Sequence, residues 1–405
     1  LMLRSMFTAI SSLNLHQEYL DVVASNLANA NTVGYKASRV LFQDQFAQLL
    51  SPGSAPTTAR GGVNPTQVGL GVQMGYITPN FTQGMMQNTG RNLDLAIQGD
   101  GFFIYNNGTE RLYSREGSLS FDSSGYLVNT ASGLRIQGWM ADTSGAIDTN
   151  LPVGDISVAT DHTIARATQS AVIDGNLNSD TAVGGTISTT MGVYDSLGDL
   201  HTVTVNFTRT SATDWSWQID PADGAGGGTM TFGADGQMTG MTTATAINIP
   251  VTGGASNINM TLDLNDLTML STETSAAISS QDGLPPGTVS DIYVTPGDGS
   301  IYLIYTNGMR ETVGQLAMAR FSNPEGLIRS GSSSYEQGLN SGEPEIGVAN
   351  TGGRGAIASS YLEASNVDMA QEFTNMILAQ RGFQASSRVI TTSDEILQEL
   401  VNLKR

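Results

Sequence analysis

The chain is predicted to be multidomain: two long terminal α-helices forming a coiled-coil-like domain, plus two mainly-β domains, one inserted in the other. Three observations predict this. Apolar residues recur at three-four spacing at both ends of the chain. Between the ends they alternate with polar residues in short runs separated by turns. A stretch from about 150 to 282 stands apart by its content of Thr, Ser, Gly and Asn. A length of 405 residues also suggests two or three domains. The predicted boundaries are 1–35 and 363–405 for the helical domain, 36–75 for a connector, 76–148 and 283–362 for a middle β-domain, and 149–282 for the insertion.

In the N-terminal helix, Leu3, Met6, Ile10, Leu13, Leu20, Ala24 and Leu27 form a narrow seam, with Gln17 as its polar interruption. Asn29-Ala30-Asn31-Thr32-Val33-Gly34 ends it, because Asn and Gly tolerate the left-handed conformation of a C-cap. A helix from 3 to 29 spans roughly 40 Å.

The connector follows. Gln45 to Val72 carries Pro52, Pro56 and Pro65 with several glycines, and reads as too long and polar for a buried strand. It is expected to be disordered in the free chain and to order only against neighbouring copies in an assembly, with Phe42, Phe46, Leu49 and Leu50 before it and Leu70, Val72 and Met74 after it as apolar anchors.

The middle of the chain alternates at period two. Val203, Val205 and Phe207 form one such run, Trp215, Trp217 and Ile219 the next, and Ile258, Met260, Leu262 and Leu264 another. Asp195-Ser196-Leu197-Gly198 reads as a turn between strands, and Asp291–Tyr305 as a hairpin turning at Pro296-Gly297-Asp298-Gly299.

At the C-terminus, Ser365-Asn366-Val367-Asp368 reads as a capping box. Met369, Phe373, Met376, Phe383, Ile390, Leu397 and Val401 follow as a seam, with Gln380, Ser387 and Asp394 as polar members. Asp368 and Glu372 at its start, and Lys404 and Arg405 at its end, suit the helix dipole. Thr391-Thr392 marks a point where the helix can bend. The two seams fit either a helical hairpin packed on its own domain or a coiled coil that also packs between copies.

Composition narrows the function. With 18 basic and 37 acidic residues the net charge is −19, and no Lys/Arg cluster escapes that background, so nucleic-acid binding is not expected. There is no cysteine, which excludes disulfides and thiolate metal sites. No apolar run approaches the roughly 20 residues of a membrane span, so no membrane insertion is expected. After Arg4, the stretch Met6–Ile10 gives way to Ser11, Ser12, Asn14, His16 and Gln17, too polar for a secretory signal. Export, if it occurs, is expected without cleavage. Leu1 before Met2 reads as a literally translated alternative start codon or an added residue.

A search for chemistry finds no catalytic residue, no cofactor site and no metal site. His16, His162 and His201 lack companions at ligand spacing. His16 is expected to pack and His201 to be solvated. Gly69-Leu70-Gly71-Val72-Gln73-Met74-Gly75 has the wrong spacing for a dinucleotide fingerprint. Asp263, Asp266 and Asp298 fit no EF-hand and read as strand-end carboxylates. Trp139, Trp215 and Trp217 are expected in cores or on sheet faces. The chain is not expected to be an enzyme.

The two ends carry something more specific. Ser25-Asn26-Leu27-Ala28-Asn29-Ala30-Asn31-Thr32-Val33-Gly34-Tyr35-Lys36 resembles the N-terminal signature of the flagellar rod and hook proteins. Leu362-Glu363-Ala364-Ser365-Asn366-Val367-Asp368 and Ala379-Gln380-Arg381-Gly382-Phe383-Gln384-Ala385 resemble their C-terminal signature. Thr89–Ile97, Gly99-Asp100-Gly101-Phe102-Phe103, Tyr113-Ser114-Arg115-Glu116-Gly117 and Gly125-Tyr126-Leu127-Val128-Asn129 resemble the family's first β-domain. Asn26, Asn29 and Asn31 are poor choices for a helix interior, and suit hydrogen bonds exchanged between neighbouring subunits. Simple helix termination also explains Asn29 and Asn31.

The resemblance implies a homo-oligomer, a hollow helical tube of many copies with terminal helices inside, the middle β-domain around them and the insertion outermost. The insertion, with Val193-Tyr194-Asp195-Ser196-Leu197-Gly198, implies a hook subunit, whereas the long connector pulls towards the distal rod. The implied location is extracellular, on the flagellum. The implied partners are the distal rod, the hook cap, the hook–filament junction proteins and the flagellar type III export apparatus. Seams and signatures together mark the assembly residues. At the N-terminus they are Leu3, Met6, Ile10, Leu13, Leu20, Leu27, Asn26, Asn29, Asn31, Gly34 and Tyr35. At the C-terminus they are Leu362, Ser365, Asn366, Val367, Asp368, Phe373, Met376, Gln380, Arg381, Phe383, Ile390, Leu397 and Val401. The rival from another class is a surface- or carbohydrate-binding β-protein with the helices as linkers.

Overall fold

Both terminal periodicities become single helices, α1 (Met2–Ala28) and α2 (Met369–Leu403). The computed structural model describes residues 2–58, 60–159, 161–242 and 247–403. Lys404, Arg405 and the side chain of Leu3 therefore lie outside the described residues. The chain forms two units, one of residues 1–158, 292–302 and 312–405, the other of residues 159–291 and 303–311.

In the first unit α1 and α2 pack antiparallel. Ser12 Oγ lies 2.9 Å from Ser386 Oγ, and His16 lies against Gly382, so the numbering runs in opposite senses along the pair. In α1, Ala9 and Val23 are buried on one line with His16 half-buried between them, and Leu15 is buried beside it; the buried line of α2 is Ala379, Ser386 and Ser393. Each line lies one residue before the row expected, which was Ile10, Gln17 and Ala24 in α1 and Gln380, Ser387 and Asp394 in α2. The cause is close approach. Small side chains occupy the line of contact, and larger ones, Leu13, Leu20, Met376, Phe383, Ile390 and Leu397, lie half-buried beside it. At Gly382 a Cβ would stand 2.4 Å from His16 Nε2, so only glycine admits the imidazole there.

The N-cap of α2 also differs from expectation. Asp368, not Ser365, caps it: Asp368 Oδ1 accepts the N–H groups of Ala370 at 2.9 Å and Gln371 at 3.1 Å. Ser365 Oγ accepts the Val367 N–H one turn too early to cap. α2 continues through Thr391 and Thr392, whose hydroxyls bond back to Arg388 O at 3.0 and 2.9 Å.

The connector is ordered, contrary to the expectation of disorder. Ser38–Asp44 pairs antiparallel with Val72–Pro79, and Ala47–Ser51 with Thr66–Gly69. Bridges Ser54–Val63 and Thr57–Arg60 extend the ribbon towards its tip. Proline is compatible because a two-stranded ribbon leaves alternate N–H groups unpaired. The ribbon's base rests on α1, where the Phe42 ring meets Tyr19 edge-on at 5.5 Å. Phe46, Leu49, Leu50 and Leu70 are exposed.

The β-body of this unit is buried on both faces of its central strands. Phe103 and Tyr105 of the strand Phe102–Asn106 point into a core with Leu95, Ile97, Leu127, Ile136, Leu316 and Met318. Phe102 and Ile104 point the other way, to Tyr113, Trp139, Phe321 and Tyr335. The expected hairpin turn closes with Thr295 N–H donating to Ser300 O at 2.8 Å.

The second unit is a β-sandwich. Five antiparallel strands, Thr186–Tyr194, Leu200–Arg209, Asp214–Ile219, Gly227–Phe232 and Met238–Met241, follow one another in sequence order. The other sheet is built around Ser170–Asn178, which pairs in parallel with Ile258–Asp263 and Leu267–Leu270. The alternating residues meet in one core: Val203, Val205, Phe207, Trp215, Trp217 and Ile219 face Ile258, Met260, Leu262 and Leu264. His201 is not merely solvated. Its Nε2 pairs with buried Asp195 Oδ2 at 2.9 Å, bracing the Asp195–Gly198 turn, where Gly198 takes φ +87°.

Candidate functional site

The motifs at the two ends, far apart in sequence, meet at the foot of the helical pair. Past Ala28 the chain turns through Gly34, whose φ of +67° and close approach to the Glu116 backbone require glycine. Its N–H donates to Glu363 O at 2.8 Å. The next residues enter the body: Tyr35 is buried, and Lys36 is fully so.

Lys36, Glu363 and Arg115 form a buried ionic node. Lys36 Nζ lies 2.7 Å from Glu363 Oε1 and donates to Thr82 O at 2.8 Å. Gly84 N–H donates to the same carboxylate oxygen at 2.8 Å, while Arg115 Nη1 reaches Oε2 at 3.5 Å. Arg115 also stacks over Phe102. Arg329 closes the rim, bonding Tyr35 Oη and Lys36 O and lying over the Tyr35 ring. Burial pushes the Lys36 ammonium below its ordinary value, against the opposing pull of Glu363. Arg115 is likewise pushed down by burial.

Two asparagines stitch the helices to this node. Asn26, buried in α1, donates to Ser38 O at 2.8 Å, and its oxygen accepts Ser38 N–H at 2.9 Å and Tyr35 O–H at 3.3 Å. Its amide is engaged within the chain, rather than left for exchange with a neighbour. Asn366 Oδ1 accepts Ala37 N–H at 2.8 Å while its Nδ2 donates to Asn80 O at 2.8 Å. Asn29 Nδ2 donates to Ser25 O, ending α1, and Asn31 is exposed. Leu362, Ser365 and Val367 lie half-buried along the same junction. Glu372, at the first turn of α2, is raised chiefly by burial, against the opposing pull of the nearby Asn26 and Asn375 amides.

Above the node the helices expose their largest apolar groups. Phe7 is 64% exposed, Phe373 52%, Ile377 57% and Leu378 62%; Ile10, Met369, Val389, Ile396 and Val401 are exposed too. Gln380 and Arg381 share the outward side of α2. Sequence reasoning missed Lys36, Arg115 and Glu363 as partners although each lay inside a quoted motif. A charge embedded among glycines and apolar residues, in a chain only 14% charged, was the available signal. Arg329 lay in no motif.

The arrangement brings no nucleophile beside a base, and among the described residues no cluster of His, Asp or Glu suited to a metal occurs. No described helix is long and apolar enough to cross a membrane. What the site offers is a fixed base for two helices that present apolar faces outward.

Family models match along the chain. The flagella basal body rod protein model covers residues 6–36, the flagellar hook protein FlgE/F/G D1 domain 96–178, the flagellar basal body protein FlaE D2 domain 164–284, and the flagellar basal body rod FlgEFG protein C-terminal model 358–403. The chain is 36% identical to the flagellar hook protein FlgE of Borreliella burgdorferi and 34% identical to that of Treponema pallidum, each over 100% of both chains. It is 31% identical to the flagellar basal-body rod protein FlgG of Bacillus subtilis, again over 100% of both. With end-to-end identity of this kind, the chain belongs to the flagellar hook protein family.

Proposed function

We propose that the chain is a structural subunit of the bacterial flagellar hook, polymerising into a hollow, flexible helical tube that carries torque from rod to filament and passes exported subunits. The observation that carries this reading is the inverted helical pair. Small and polar residues, Ala9, Ser12, His16, Ala379, Gly382 and Ser386, lie along the contact line between α1 and α2, while Phe7, Phe373, Ile377 and Leu378 face outward. An apolar surface of that kind calls for a protein partner, and in a tube further copies supply it. The role is one of assembly, not catalysis.

In this tube the terminal helices surround the channel, residues 76–148 and 283–362 form the middle shell, and 149–282 lie outermost. The distal rod, hook cap, junction proteins and type III export apparatus are its partners, and export proceeds without signal cleavage. The hook reading is preferred to the rod because the hook proteins of Borreliella burgdorferi and Treponema pallidum, at 36% and 34% identity, exceed the rod relative at 31%. Electron microscopy of concentrated purified chain tests it. Regular hollow tubes are expected; persistent monomers that bind glycans would support a carbohydrate-binding role and sink this one.

A further inference from the structure

We propose that the outer ridge of α2 sets the axial stagger between neighbouring copies, two arginines of one copy meeting two glutamates of the next. The proposal rests on the tube reading, in which all copies point the same way.

At 100° per residue, Arg381, Arg388, Glu395 and Glu399 fall within about 40° of one line, on the side of α2 opposite Ala379, Ser386 and Ser393. All four are exposed. Among the described residues none of their side chains forms an ion pair within the chain. Some arginines elsewhere do find partners within the chain. Arg115 and Arg135 hold carboxylates, and Arg166, Arg209 and Arg354 hold backbone carbonyls.

The order along the ridge is base, base, acid, acid. The midpoints of the two pairs are 12.5 residues apart, (395 + 399)/2 less (381 + 388)/2, or about 19 Å of helix. A parallel copy laid in register opposes arginine to arginine and glutamate to glutamate. A copy displaced by about 19 Å brings the arginine pair opposite the glutamate pair. The pattern thus disfavours one alignment and favours another. The match is also open-ended. Each copy offers its glutamates to a neighbour on one side and its arginines to a neighbour on the other, so the contact propagates along the assembly without closing.

Charge exchange in the full chain tests it. R381E/R388E and E395R/E399R should each raise the monomer concentration needed for tubes by about tenfold or more at low salt, an effect that shrinks in high salt. An equimolar mixture of the two should co-assemble. The fourfold exchange R381E/R388E/E395R/E399R restores complementarity, and should return assembly to near the parent value with the parent's axial repeat in electron micrographs. Circular dichroism of each monomer checks that α2 is intact. Parent-like assembly by either double variant would overturn the proposal. So would a fourfold exchange that stays defective with α2 intact, which would place the partner of the arginines elsewhere. If the parent itself forms no tubes, the tube reading falls, and this proposal with it.

Discussion

Replacing Glu363 by glutamine keeps the side chain's shape and removes the one carboxylate that, among the described residues, directly contacts Lys36 and Arg115. Gly84 N–H, 2.8 Å from Oε1, can still donate to the amide oxygen. Lys36 then keeps only neutral acceptors, that amide oxygen and Thr82 O, and Arg115 faces the amide NH2 in place of its 3.5 Å carboxylate partner, while both side chains remain at most 3% exposed. Removing one member of a buried ion pair costs about 3–5 kcal/mol, because the remaining charge stays desolvated. For a unit of more than 150 residues, about 2–4 °C is lost per kcal/mol, so the first unit should melt about 6–20 °C lower.

The loss should depend on pH in a definite direction. Burial already lowers the Lys36 value, and without Glu363 nothing of comparable strength opposes it. A lysine depressed in the folded state binds fewer protons there than when unfolded, so stability rises with pH between the folded value and the unfolded value near 10.4. E363Q should therefore recover part of its loss between pH 7 and pH 9.5. Calorimetry of the full chain measures this. With Trp139 of the first unit replaced by phenylalanine in parent and variant alike, fluorescence of Trp215 and Trp217, buried in the second unit, gives an internal reference that should not move. A variant within about 0.5 kcal/mol of the parent at pH 7, or one with no recovery at high pH, would show that the node does not hold the helices' base.

G382V should separate the helices at His16, since its Cβ has no room; circular dichroism should show lost helix while the β-units melt normally. F373A and L378A remove exposed groups, so the monomer should melt within about 0.5 kcal/mol of the parent while tube formation fails. Residues 159–311, which contain the second unit entire, should be soluble alone and melt cooperatively; a molten product would mean that its core needs the rest of the chain. Deleting about Pro52 to Thr66 shortens the ribbon's exposed tip, and tubes of that variant should curve more readily in electron micrographs; an unchanged curvature distribution would make the ribbon a passive spacer.

Alternation made the second unit legible, because period-two burial fixes which residues face the core whatever the strand order. Trp215, Trp217 and Met260 needed no knowledge of pairing to be placed inside. The parallel partners of Ser170–Asn178 were not legible, since parallel and antiparallel neighbours impose the same alternation. The start of α2 was misplaced by three residues because Ser365 and Asp368 are both good caps, and only the backbone direction after Val367 decides between them. The ribbon was hidden by its prolines, which are breakers in a buried strand but tolerable in a two-stranded one. The node was invisible for another reason. Lys36 and Glu363 are 327 positions apart, and no local pattern pairs them.

The helical seams were displaced by one residue for a reason that bears on assembly. Large apolar side chains mark where a helix must be covered, but they do not say which helix covers it. Between α1 and α2 the contact follows Ala9, Ser12, Ala379 and Ser386, residues too small to register in an apolar count. Their close approach leaves Phe7, Phe373, Ile377 and Leu378 on the outside. If the pair were a self-sufficient hairpin, these groups would face inward and serine and glycine outward. Isolated helices are marginal in water and gain most of their stability from packing an apolar face. A pair that keeps that face outward therefore reaches full stability only when other molecules cover it. The buried node fits this division: it anchors the feet of both helices in each chain, so that later copies meet a surface already aimed at them.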